Sequence, residues 1–268
     1  YASIMNESAI NMGKLPVFTN DEIAALDSGT MWMDEMFYDN AVTQSYTIGA
    51  TGGSQTSVYS MSLGYIGQEG IVGGPSLSDY NRYNFRFNSE HKLYGDRIKI
   101  GQNLTFANID NNGIAVGNQY NNTLRGAFNT SPFVPMYDAN GNFWDNSDSD
   151  WFTGEANPYA SMVYNNQNER SSQKILGNVY FEAEILKNLK FRSSFGLDYY
   201  ANEEHSFTPI YTLSAYSYNN VTRVNQSMGK GRTWIWDNLL TYGVDINGGH
   251  HLDLMAGTSA NQYKGTTI

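Results

Sequence analysis

The sequence predicts an all-β fold, a single antiparallel sheet of about eight long strands, and three observations predict it. Apolar and polar residues alternate with period two over most of the chain after Trp32. The alternating runs reach roughly 10 to 15 residues, against the five or six of ordinary soluble strands. The segments that join them are short and long in turn.

The chain opens on helical patterns. In YASIMNESAINMGK, Ile4, Met5, Ala9, Ile10 and Met12 recur at helical spacing until Gly13 and Pro16 stop the run. In FTNDEIAAL, Thr19 or Asn20 suits the N-cap, with Asp21 and Glu22 in a first turn whose dipole favours anions. The clearest strand is YNRYNFRFNSEH, where Tyr83, Phe85 and Phe87 fall on one face and Arg82, Asn84, Arg86 and Asn88 on the other. The same reasoning places strands at about 42–51, 54–66, 80–91, 97–109, 173–185, 190–203, 231–245 and 250–264. GGSQ, LYGD, KNL and NGG join them in pairs as tight turns, with Gly or Asn where φ must be positive. Between the pairs lie the long segments 67–79, 110–172 and 204–230.

Short turns at one end and long loops at the other are the pattern of an outer-membrane barrel, and a tilted strand needs about 9 to 11 residues to cross a bilayer. The fold class expected is therefore antiparallel transmembrane β-barrel wall, with short periplasmic turns and long extracellular loops. Its Tyr, Phe and Leu faces should meet lipid and its Asn, Ser, Lys and Arg faces the lumen. A secreted soluble β-sandwich that binds glycans is the alternative, since the same faces could line a sandwich core. A self-contained eight-stranded barrel is a second.

Composition narrows the function. With 16 Lys+Arg against 26 Asp+Glu the net charge is -10, which argues against a nucleic-acid surface. The chain has no cysteine, hence no disulfide and no thiolate metal site. It has no run of about 18 to 20 apolar residues, the length of a membrane-spanning helix. His91, His205, His250 and His251 form no HExxH pattern, and there is no GxSxG, P-loop or dinucleotide fingerprint. Neither an enzyme, a cofactor nor a catalytic residue is expected; a surface glycosidase would need an acidic pair that spacing alone does not reveal.

Several strings resemble the SusC/RagA family of TonB-dependent transporters. QSYTIGATGGSQTSVYSMSLGYIGQEGIV, residues 44–72, is similar to the family's early barrel hairpin in its Gly52-Gly53-Ser54 turn, its Gly64-Tyr65 strand end and the Gln68 to Val72 loop. SDYNRYNFRFN and IKIGQNLTFA follow in order. TNDEIAALDSGTMWMDEMF precedes them, with Met31 and Met33 in place of more usual polar residues. SPFVPMYDANGNF, NPYASM, ILGNVYFEAEILKNLKFRSSFGLDY and WDNLLTYGVDINGGHHLDLMAGTSAN continue the match, so it covers nearly the whole chain. The resemblance implies residues 1–268 as part of a larger, 22-stranded barrel domain, with 1–37 a helical and irregular segment leading into the strands and the plug absent. Such a fragment transports nothing alone. The resemblance also implies the partners: a SusD-like surface lipoprotein, TonB acting through the missing plug and TonB box, outer-membrane lipid, and an imported oligosaccharide or peptide, with the oligosaccharide favoured.

Candidate ligand-binding residues lie in the long loops. Tyr137, Asp138, Phe143, Trp144 and Trp151 crowd one loop, Tyr211 and Tyr216 another, and aromatic platforms beside Asp and Asn suit the flat C–H faces of sugars. Phe152 and Tyr218 stand beside them. DANGNFWDNSDSD offers oxygens from Asp138, Asn140, Asn142 and Asp145, but it lacks the EF-hand spacing and closing Glu. A hairpin turning at Asn140-Gly141 is expected there instead of a metal site. In GNQYNNTLRGAFNT, Tyr120, Leu124 and Phe128 at spacing four suggest a short helix that packs the loop.

Overall fold

A computed structural model describes residues 1–115, 117, 122–149, 153–246 and 249–268. Eight strands form one antiparallel sheet: β1 (Thr43–Gly53), β2 (Ser57–Glu69), β3 (Asp79–Leu93), β4 (Ile98–Asn112), β5 (Gln167–Leu186), β6 (Leu189–Thr208), β9 (Arg223–Ile246) and β10 (His250–Thr267). A two-residue ladder, β7 (Tyr211–Thr212) with β8 (Tyr218–Asn219), sits in the loop before β9. The sheet runs in chain order, with β1 and β10 as its two edges among the described residues. The helices are α1 (Ala2–Asn11), α2 (Asn20–Ala25), α3 (Trp32–Met36), α4 (Thr123–Asn129) and α5 (Pro158–Asn165).

Register aligns the alternation of each strand into rows. Ile48, Leu63, Phe85, Phe106, Ile175 and Tyr199 stand side by side across six strands on one face. Ser60, Asn88, Asn103 and Asn178 make a row on the other. On β6 the apolar face runs Leu189, Phe191, Ser193, Phe195, Leu197, Tyr199. Ten residues at about 3.3 Å each, tilted by about 45°, give a band of about 23 Å, close to the ~25 Å of an outer-membrane barrel. Ser193, Asn238 and Thr258 interrupt it in one row, and the Trp236 Nε1–H donates to Ser193 Oγ at 3.0 Å.

Among the described residues nothing covers this apolar face. Leu63, Val179, Trp236 and Leu254 are each about half exposed, and of the sheet's residues only Ala107 belongs to the buried apolar set. A sandwich would bury these side chains under a second sheet; a contiguous bare patch of this size marks a membrane or a partner. The polar face is the opposite. Glu182 lies between Lys99 (3.9 Å) and Arg192 (3.5 Å), Tyr180 donates to Glu90 at 2.6 Å, and the Arg192 guanidinium sits 4.1 Å from the Tyr180 ring centre. The Tyr180 ring also lies over Gly101 on the neighbouring strand, where a Cβ would collide with it. The chain is a length of transmembrane β-barrel wall.

The predicted connections hold: residues 54–56, 94–97, 187–188 and 247–249 join strands briefly, and 70–78, 113–166 and 209–222 are long. Two expectations change. Period-two alternation begins at Thr43, not after Trp32, because Trp32–Met36 is one turn of helix. The outer ends also run further than alternation shows, with β5 from Gln167, β6 to Thr208 and β9 from Arg223. Thr19 is the N-cap of α2, in a capping box with Glu22. The short helix expected around 117–130 is α4, capped by Asn122; Tyr120 lies outside the described residues.

Candidate ligand-binding face of the outer loops

The long connections fold onto one another at one end of the sheet, together with residues 1–37. Their shared core is Trp32, Met36, Ala127, Val134 and Met162, flanked by Phe37, Val72, Leu77, Ile114 and Trp144. Trp32 is 3% exposed and its indole N–H donates to the Ser131 carbonyl at 3.1 Å. The Thr30 N–H donates to the Pro132 carbonyl, and the Thr30 hydroxyl to that of Val134, both at 2.9 Å. Gly29 makes that approach feasible: its φ is +63°, and a Cβ there would meet the Pro132 carbonyl at 2.5 Å. The N-terminal segment is thus packed into the loop cap rather than being only a lead-in to the wall.

The hairpin at 137–143 forms as the Asn-Gly turn predicts, with Tyr137 bridged to Phe143 and Gly141 at φ +83°. Asp138 Oδ1 accepts the N–H groups of Asn140 and Asn142, each at 2.8 Å. These bonds, led by that from Asn142, hold the Asp138 pKa below the ordinary carboxylate value. Its carboxylate is therefore occupied in closing a turn. Among the described residues no group of acidic or His side chains is arranged to hold a metal.

A carboxyl group whose pKa is depressed by folding adds stability that is complete above its ordinary value and is lost as pH falls through the depressed one. Protection of the Asn140 and Asn142 amides from exchange, corrected for intrinsic rate, should accordingly drop on acidification through that window. In Asp138→Ala the drop should vanish and protection be low throughout. A pH-dependent drop that persists in the variant would assign it to another group.

The hairpin starts a chain of rings. Phe143 stacks on Tyr137 at 5.4 Å, meets Tyr159 at 5.9 Å, and meets Tyr164 edge-on at 5.5 Å. Tyr164 then stacks on Tyr211 of β7 at 5.0 Å, and the Tyr211 hydroxyl donates to Asn165 Oδ1 at 3.1 Å. Burial, then the nearby Tyr137 and Glu35, raise the Tyr159 pKa. Asn165 borders a cleft of about 700 Å³, also lined by Thr123, Arg125, Asn129, Ser161 and Asn166 and, among the described residues, by no carboxylate.

The structure thus brings Tyr137, Phe143 and Tyr211 together. Trp144 is half-buried against the cap core, its indole N–H donating to Asn146 Oδ1 at 3.3 Å. Tyr216 stands 85% exposed, its ring beside Gly154. Trp151 and Phe152 lie outside the described residues. Sequence reasoning missed Tyr159 and Tyr164. The Asn157-Pro158 pair before them was a signal for α5, since Asn caps the helix and Pro suits its first turn. Nothing local announces that Tyr164 meets Tyr211.

No family model matches the chain. TonB-dependent receptor P3 of Formosa agariphila is 25% identical over 245 residues, 87% of this chain and 22% of that protein. TonB-dependent receptor SusC of Bacteroides thetaiotaomicron is 26% identical over 255 residues, 86% of this chain and 24% of that one. The chain therefore spans roughly a quarter of the length of these curated relatives. The RagAB peptide importer in its open-open state shares the fold with a TM-score of 0.71 at 19% identity, over 93% of this chain and 28% of its own. In the closed-closed state the score is 0.70 at 19% identity, over 92% and 28%.

Proposed function

We propose that this chain, a relative of SusC/RagA-type TonB-dependent receptors and a length of outer-membrane barrel wall, works within a nutrient importer. In this reading residues 1–268 belong to the barrel domain, with a plug and TonB box elsewhere in the complete protein. A SusD-like lipoprotein covers the outer loops, and TonB drives release of ligand past the plug. The observation that carries the reading is the contrast between the wall's faces. A bare apolar band meets lipid, while an ion-paired polar surface suits the lining of a water-filled lumen.

The cargo is an oligosaccharide, gripped at Tyr137, Phe143 and Tyr211, with Asp138, Trp144, Trp151 and Tyr216 as further contacts. Support comes from the ring chain, whose last ring, Tyr211, donates to the cleft residue Asn165, and from that cleft's lining of amides and hydroxyls with no carboxylate among the described residues. Amides pair with sugar hydroxyls, and rings present apolar faces to sugar C–H groups. The RagAB importer is described as carrying peptides, so peptide is the competing cargo. Titration of the full-length protein with neutral oligosaccharides and with peptides separates the two. Tyr211→Ala should weaken oligosaccharide binding roughly tenfold, about 1.4 kcal/mol. Saturable binding of peptides alone would overturn the glycan assignment. Uptake that persists without TonB would overturn TonB as the driver, and uptake unchanged in a strain lacking the full-length protein would overturn the importer.

A further inference from the structure

The membrane-facing side of β9 and β10 changes character at Trp234. Toward the short turns the face continues with Trp236, Leu240 and Tyr242. Toward the long loops the next two residues on the same face are Arg232 and Lys230, and Lys264 stands directly opposite Arg232 across the ladder. All three cations are exposed, in a chain with only 16 Lys+Arg. Among the described residues no carboxylate lies within ion-pair distance of any of them. Glu203, one row beyond Lys230 on this face, accepts from the Gln226 amide at 2.8 Å. Further round the wall the same border turns acidic at Asp79, Asp110 and Glu169, so the positive patch is local.

Like charges placed directly opposite across a ladder destabilise it. An anion seated between them would reverse that sign. Tyr199, Met228, Lys230, Thr266 and Ile268 line a groove of about 320 Å³ beside the patch, with Glu203 at its far side from Arg232 and Lys264. The patch lies at the long-loop border of the apolar band, where Trp234 marks the interfacial level. It faces the bilayer rather than the lumen, so a dissolved cargo would not meet it.

The geometry points to a binding site for the phosphate-bearing headgroup of an outer-leaflet lipid, held by Lys230, Arg232 and Lys264. Arg232 can take two phosphate oxygens at once, and the lysines add point charges. The inference rests on the membrane placement of the wall and not on the imported cargo.

The test uses the full-length protein in neutral detergent, titrated with phosphorylated lipid A, with its dephosphorylated form and with inorganic phosphate. Saturable binding of the phosphorylated lipid is expected, lost with the dephosphorylated form and unaffected by millimolar phosphate. The triple change to Gln should weaken it roughly a hundredfold, at about tenfold or less per cation. Arg232→Lys keeps the charge but loses the two-oxygen grip, so it should weaken binding less than Arg232→Gln does; heat-modified electrophoretic mobility checks that each variant is folded. Equal affinity for the dephosphorylated lipid, or an unchanged triple variant, overturns the site. Competition by inorganic phosphate at the lipid's own concentration would make it a free-anion site and overturn the lipid assignment. Loss of cargo uptake in an otherwise lipid-binding protein would bear on the importer reading alone.

Discussion

Val179→Arg should largely abolish the folded, membrane-inserted form of the full-length protein, whereas Asn178→Arg, one residue away, should leave it intact. Val179 lies midway along the apolar stretch of β5 from Ile175 to Ala183, half exposed, with Gln102 and Phe195 as its cross-strand neighbours. On the lipid side an arginine near the bilayer midplane costs about 2–4 kcal/mol. That is a large share of the 5–15 kcal/mol by which folded proteins are typically stable. Asn178 belongs to the amide row with Asn88 and Asn103, on the face that carries Lys99, Glu182 and Arg192. A cation there joins other charges in a wet lumen, at a cost within about 0.5 kcal/mol. The measurement is the fraction of protein in the outer membrane that runs as a heat-modifiable barrel. If Asn178→Arg proved the more damaging of the two, the lipid and lumen faces would have to be exchanged.

The same two-sidedness explains what could be read from the sequence. Within the bilayer each residue meets either lipid or lumen, so alternation is strict and fixes strands such as 80–91 and 190–203 within a few residues. Above the bilayer both faces are wet and the constraint lapses. RVNQSMGKG at the start of β9 has no apolar face, yet its ladder with β6 continues from Gly231 out to Arg223. The loop cap divides along similar lines. Local chemistry announces the Asn140-Gly141 turn and the Thr19 cap, because both are decided by residues three or four apart. The ring contact of Tyr164 with Tyr211 and the burial of Trp32 under Ser131 depend on distant segments meeting. No spacing records that. Residues 33–36 show no readable period because a helix of five residues is too short to display one.

Trp32→Ala should therefore release the cap while sparing the wall. The side chain is 3% exposed among Met36, Ala127, Val134 and Met162, which come from α3, α4, the 131–136 segment and α5. Removing a buried Trp typically costs about 3–5 kcal/mol, from lost transfer free energy and from the cavity left behind. The Ser131 carbonyl also loses its donor. The wall's ladders involve none of these residues, so the damage should stop at the base of the loops. Limited proteolysis of the full-length protein should cut within 113–166 far faster in the variant, at unchanged heat-modifiability. Trp32→Phe, which keeps most of the ring but not the N–H, should fall between the two. Ligand binding should weaken along with the cap, since Tyr159 and Tyr164 sit on α5, held through Met162 in the same core. Loops that remain protease-resistant in Trp32→Ala would show that the cap is held from elsewhere and that the N-terminal segment is a passenger on it.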